Sequence, residues 1–172
     1  MSKTYDIELM PLFEQFANQT LIIVDVQTPY KKFWVKNGKP NLENDIAKYA
    51  NSFMTVYQIY DTNINKETNR ENVQTYNFPN QTKCFAKKYG GTHDQMVTGL
   101  HFDVDRYILK VDDGGTHDWF FPSADLVDTL KAIQTPIVLV GGAYGECLYD
   151  IEYLLKCLGK QYTVNKNLTY HA

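Results

Sequence analysis

The run Thr20-Leu-Ile-Ile-Val-Asp25 is apolar and β-branched without a break, and it ends in an acid. A strand with one solvated face alternates apolar and polar residues. A run without that alternation fits a strand covered on both faces, as in a parallel sheet with helices above and below it. Parallel strands need crossover segments, and the chain supplies them. Asn41 to Asn51 places Leu42, Ile46, Ala47 and Ala50 at helical spacing behind a capping Asn41, and Phe53 to Tyr60 reads as the next strand. Further along, Thr92 to Leu100 is expected as a short helix and Arg106 to Lys110 as a strand. A helix capped by Ser123 runs to Ile133, and a strand follows from Pro136 to Gly141. Gly145 to Leu158 is a helix ended by Gly159, and Gln161 to Asn165 a last strand. Strands alternating with helices predict an α/β fold, a three-layer α/β/α domain with a mainly parallel sheet and right-handed crossovers.

At 172 residues the chain is read as one domain over 1–172. Residues 1–19 add an N-terminal helix, carried by Leu9, Leu12, Phe13 and Phe16, and residues 61–92 are polar and aperiodic, a long loop or lid. A net charge of -3 with scattered Lys and Arg argues against a nucleic-acid partner. No segment reaches the roughly 18 apolar residues of a membrane span, and the N-terminus lacks a signal segment, so a cytoplasmic location is expected. Three cysteines without metal-type spacing are expected to be free thiols. Cys157 is expected in the core, and His93, His101, His117 and His171 at the surface or in loops.

Ligands of parallel sheets bind beyond the carboxyl ends of the strands. Asp25, Lys110 and Cys147 each follow a strand end by this reading. A thiol at a helix N-terminus beside a cation becomes a thiolate more readily than an ordinary one. An aspartate can take the thiol proton and return it to a leaving amine, and the backbone donors of Gly142 to Cys147 can hold an oxyanion. That set fits acyl transfer to Cys147 followed by hydrolysis. Each residue also has a bland reading: a small buried thiol, a loop or cap acid, a solvated lysine.

The same residues resemble a known family. Leu21-Ile-Ile-Val-Asp25-Val-Gln27 is similar to the opening Asp-x-Gln strand of the isochorismatase-like cysteine hydrolases, a family with a Rossmann-like fold that includes nicotinamidases and related amidohydrolases. Tyr30 falls where that family has an aromatic. Ile108-Leu-Lys110 resembles its lysine strand, and Val138-Leu-Val-Gly-Gly-Ala-Tyr-Gly-Glu-Cys147 its nucleophile strand. The resemblance implies a triad of Cys147, Asp25 and Lys110. It also implies a non-proline cis peptide at Gly142-Ala143, with the amides of Ala143 and Cys147 on the oxyanion. The activity implied is hydrolysis of a carbon-nitrogen bond in a small molecule, without a cofactor, by a protein that assembles as a homo-oligomer.

Departures from the pattern shape the expectation. The second strand ends Tyr60-Asp61-Thr-Asn63 with no histidine, so a nicotinamidase-type metal site is not expected, and Gly142-Ala-Tyr144 replaces the usual Val-x-Thr. Gln27, Tyr30, Trp34, Trp119 and Tyr144 are the candidate substrate-binding residues. Trp34 either lines the pocket or packs beneath the lid, and Gly114 to Phe121, around Trp119, is either a pocket wall or a turn anchored by core aromatics. The rival readings are a catalytically inert binding or assembly protein on the same fold and a redox-sensing thiol protein with Cys84 as resolving cysteine. Gly141 to Gly145 also partly imitates a dinucleotide loop, but the following strand lacks the ribose-binding acid.

Overall fold

The structure, a computed structural model, describes residues 18–61, 76–89 and 120–172. The expected N-terminal helix up to residue 17, the helix over 92–100 and the strand over 106–110 lie outside the described residues.

The described chain runs β1 (Thr20–Val24), a 3-10 turn (Thr28–Tyr30), α1 (Lys31–Lys36), α2 (Leu42–Ala50), β2 (Thr55–Asp61) and β3 (Gln81–Tyr89). It continues through β4 (Phe120–Phe121), α3 (Ala124–Ala132), β5 (Ile137–Gly141), α4 (Cys147–Cys157) and β6 (Tyr162–Thr169). The sheet order is β4-β3-β2-β1-β5-β6. β1 lies between β2 and β5 and is parallel to both, β3 continues parallel beyond β2, and β6 does so beyond β5. Only the short β4 is antiparallel.

The central strand shows why an unbroken apolar run was needed. Leu21 and Ile23 pack with Trp34, Leu42, Ile46 and Ala50 on the α1–α2 side. Ile22 and Val24 pack with Leu126, Leu130, Leu148 and Ile151 on the α3–α4 side. All four β1 side chains are fully buried, and each such burial stabilises the fold by roughly 1.5–3 kcal/mol. A polar residue on either face would meet a helix rather than water. The result is a mixed α/β domain with a helical layer on each face of the sheet. Among the described residues no helix is long and apolar enough to cross a membrane.

Ser123 caps α3 through its hydroxyl, which accepts from the Leu126 amide at 3.1 Å. Gly159 follows α4 at φ +67, the left-handed conformation that suits glycine at a helix end. Four expectations change. Asn41 precedes α2, but its side chain makes no capping bond. Cys157 is exposed rather than in the core. The last strand continues to Thr169, past the expected end at Asn165. The stretch read as a loop over 61–92 contains β3, nine residues from Gln81 to Tyr89. This strand opens at Asn80, which takes φ +58 and donates from Nδ2 to Phe53 O at 2.8 Å. Its lysines concealed it, because a buried lysine and a solvated one read alike in sequence.

Candidate active site

The parallel strands β3, β2, β1 and β5 lie side by side, and their carboxyl ends bring Asp25, Asp61, Lys87 and the loop to Cys147 together. Asp25 directly follows β1 and takes φ +50, a left-handed conformation uncommon outside glycine. Two backbone bonds hold it so: its amide donates to Ile59 O at 2.9 Å, and its carbonyl accepts from the Tyr170 hydroxyl at 2.7 Å. The Asp25 side chain is fully buried and forms an ion pair with Lys87, also fully buried, which donates from Nζ to Oδ2. Asp25 Oδ1 has no hydrogen-bond partner among the described residues.

Lys110 and Trp119 lie outside the described residues. The lysine that meets Asp25 is Lys87, two residues before the end of β3. Phe85 and Lys87 are both buried, as residues two apart on one face of a strand are. That alternation, with Lys87 near the carboxyl end of the strand after β2, was the available sequence signal.

Burial raises the Asp25 carboxyl to about 6, working against the Lys87 charge, which favours the ionised form; nearby Asp61 adds to the rise and the Cys147 thiol opposes it. Burial also works against the Lys87 charge, but Asp25, Cys147 and Asp61 together hold this lysine above its ordinary value. At neutral pH the pair is therefore a carboxylate beside a cation, with the acid titrating near neutrality.

Cys147 begins α4 and is partly exposed. It faces a cavity of about 180 Å³ together with Asp25, Tyr30, Phe33, Ala143 and Tyr170. Glu146, the exposed residue before the helix, stands at the same cavity. The loop from β5 into α4 is tightly constrained. Gly141 has φ +99, and a Cβ there would lie 2.1 Å from Val24 O; a Cβ on Gly142 would lie 2.6 Å from the Tyr170 ring. The peptide bond between Gly142 and Ala143 is cis. The Gly142 amide donates to Val24 O at 2.9 Å, that of Tyr144 to Tyr170 O at 2.8 Å and that of Glu146 to Ala143 O at 3.1 Å. Gly142 is thus removed from the expected oxyanion donors, because its N–H is committed to β1.

The expected substrate residues divide. Tyr30 lines the cavity, with its hydroxyl donating to Asp61 Oδ2 at 2.9 Å. Gln27 is fully buried and ties β1 to β2: its Oε1 accepts from the Asp61 amide at 2.8 Å, and its Nε2 donates to Asp61 O at 3.1 Å. Trp34 packs inside, donating to Glu43 Oε2 at 3.1 Å, its ring 5.3 Å from that of Tyr170. Tyr144 is half-buried against His171, with ring centroids 5.3 Å apart. Lys87, Asp61, Phe33, Glu146 and Tyr170 were missed by sequence reasoning. Among the described residues no group of three or more His, Cys, Asp and Glu side chains could hold a metal ion. No protein-family model, curated protein or solved structure matches the chain.

Proposed function

We propose that this chain is an isochorismatase-like cysteine hydrolase that cleaves an amide-like carbon-nitrogen bond of a small molecule through a thioester, with Asp25, Lys87 and Cys147 as its triad. Lys87 takes the role that the sequence resemblance gave to Lys110. The observation that carries the reading is the buried Asp25–Lys87 ion pair on the cavity that Cys147 also faces. A buried charge pair is costly to assemble, and an acid titrating near 6 is suited to accept and return a proton at neutral pH.

In the first half-reaction Asp25 takes the Cys147 proton while the sulfur attacks the substrate carbonyl. The tetrahedral oxyanion then collapses, the carbon-nitrogen bond breaks, and the amine leaves with the proton from Asp25. In the second, Asp25 takes a proton from water as its oxygen attacks the thioester. The acid product departs and the proton returns to sulfur. Lys87 keeps Asp25 ionised between steps and favours the thiolate. The resemblance gives the oxyanion to the amides of Ala143 and Cys147; those of Gly142, Tyr144 and Glu146 donate to backbone carbonyls.

The test combines labelling with turnover. Iodoacetamide at pH 7 is expected to label Cys147 much faster than Cys84 or Cys157, and Asp25→Asn or Lys87→Ala to abolish the difference. A panel of small primary amides is expected to give ammonia with the native chain and none with Cys147→Ala. Equally slow labelling of all three cysteines would sink the proposal.

A further inference from the structure

We propose that Tyr170 is a positioning residue whose hydroxyl locks the acid-bearing turn after β1 to the nucleophile-bearing turn after β5. The inference rests on the reading of Asp25 and Cys147 as the reacting pair.

Tyr170 directly follows β6 and is 1% exposed. Its amide donates to Gly141 O at 3.0 Å, and its carbonyl accepts from the Tyr144 amide at 2.8 Å, so its backbone brackets the turn leading to Cys147. Its ring fills the space beside Gly142, where a Cβ would come within 2.6 Å, and meets Trp34 on the other side. Its hydroxyl crosses to the neighbouring turn and donates to Asp25 O at 2.7 Å. One side chain therefore spans the two segments whose reacting groups must stay in register.

The hydroxyl and the ring have separable work. The ring packs, and phenylalanine would pack equally well. The hydroxyl bonds the carbonyl of a non-glycine residue at φ +50, a conformation that persists only where its surroundings hold it. Because a backbone rotation at Asp25 swings its carboxylate, that bond sets where Oδ1 lies relative to Cys147. The groups facing Asp25 are Lys87 from β3, Asp61 from β2, Cys147 from α4, and the tyrosines Tyr30 and Tyr170. Burial and the neighbouring carboxylates raise both tyrosines, so each stays a neutral hydroxyl across the working range. Tyr30 is bonded to Asp61. The Tyr170 hydroxyl ties the Asp25 carbonyl to the loop before Cys147, one residue beyond the direct bond from the Gly142 amide to Val24 O.

The test is the pH dependence of Cys147 alkylation by iodoacetamide in Tyr170→Phe, Asp25→Asn and Asn80→Ala. Asn80 precedes β3 at the amino end of that strand, away from the carboxyl end that carries Lys87, so its loss lowers stability without touching the site. Tyr170→Phe is expected to fold and to label about tenfold more slowly at pH 7, the factor one hydrogen bond of ordinary net strength is worth. Its profile moves toward the range of an ordinary thiol, as in Asp25→Asn, whereas Asn80→Ala keeps the native profile. A Tyr170→Phe chain that unfolds earlier but labels like the native one overturns the inference and leaves the Asp25–Cys147 reading intact. Native labelling in Asp25→Asn overturns both.

Discussion

Asp25 couples the stability of the chain to pH through its burial. In the folded chain its carboxyl keeps a proton up to about 6, against 3.8 for an ordinary aspartate. Between those values the folded chain binds more protons than the unfolded one. This group's contribution is therefore fully present below the lower value and lost as pH rises through the upper one, to the extent of roughly 3 kcal/mol. Asn at this position stands in for the protonated form and has nothing to lose. Urea unfolding of the native chain and of Asp25→Asn is expected to show the variant gaining relative stability from pH 4 to pH 7. A difference that stays constant with pH would mean that Asp25 ionises as easily inside the fold as outside it. Asp25 and Cys147 were legible in sequence because each sits at a junction that ends an apolar run or opens a helix. Tyr170 was not, since its role comes from contacts with residues 145 and 28 positions away, Asp25 and Gly142.

What the sequence showed of each element had its own physical reason, and the helix Lys31–Lys36 was not foreseen at all. Ser123 and the spacing of Leu126, Val127 and Leu130 specify α3 locally, and the observed cap bond to the Leu126 amide matches. Asn41 carries a similar sequence signal, yet its side chain makes no such bond. The two positions should therefore respond differently to alanine: Ser123→Ala is expected to cost about 1 kcal/mol in urea unfolding, and Asn41→Ala much less. Equal losses would show that α2 depends on its cap through the unfolded chain rather than through a folded contact. The local signature of strand β3 is weaker, no more than the two-residue spacing of Phe85 and Lys87. Gln81 to Tyr89 carries three lysines, and only Phe85 among its described side chains joins the α3–α4 core. Its strand character comes from pairing with β2, a partner that sequence periodicity alone does not reveal. Lys87, misread with the rest of that segment, is the consequence that mattered most.

At the scale of the whole molecule, strand order explains where the site had to form. From β1 the chain builds outward through β2 and β3, then returns to the other side of β1 for β5 and β6. That reversal leaves a crevice beyond the carboxyl ends of β1 and β5, the position where such sheets bind ligands. Asp25 follows one of those strands and the loop to Cys147 follows the other. The Asp25–Lys87 pair is an expensive tenant of this crevice. Removing Lys87 alone strands a carboxylate in the interior, so Lys87→Met is expected to destabilise the fold by about 3–5 kcal/mol. Replacing both partners removes the charges together. The double variant Asp25→Asn, Lys87→Met should therefore recover most of that loss in urea unfolding, while its Cys147 labels as slowly as an ordinary thiol. Such a result separates the two roles open to the pair, because a fold that keeps its stability without the charges retains them for chemistry. A double variant less stable than either single one would instead make the pair a structural tie between β1 and β3, and the inert binding protein the better reading of the chain.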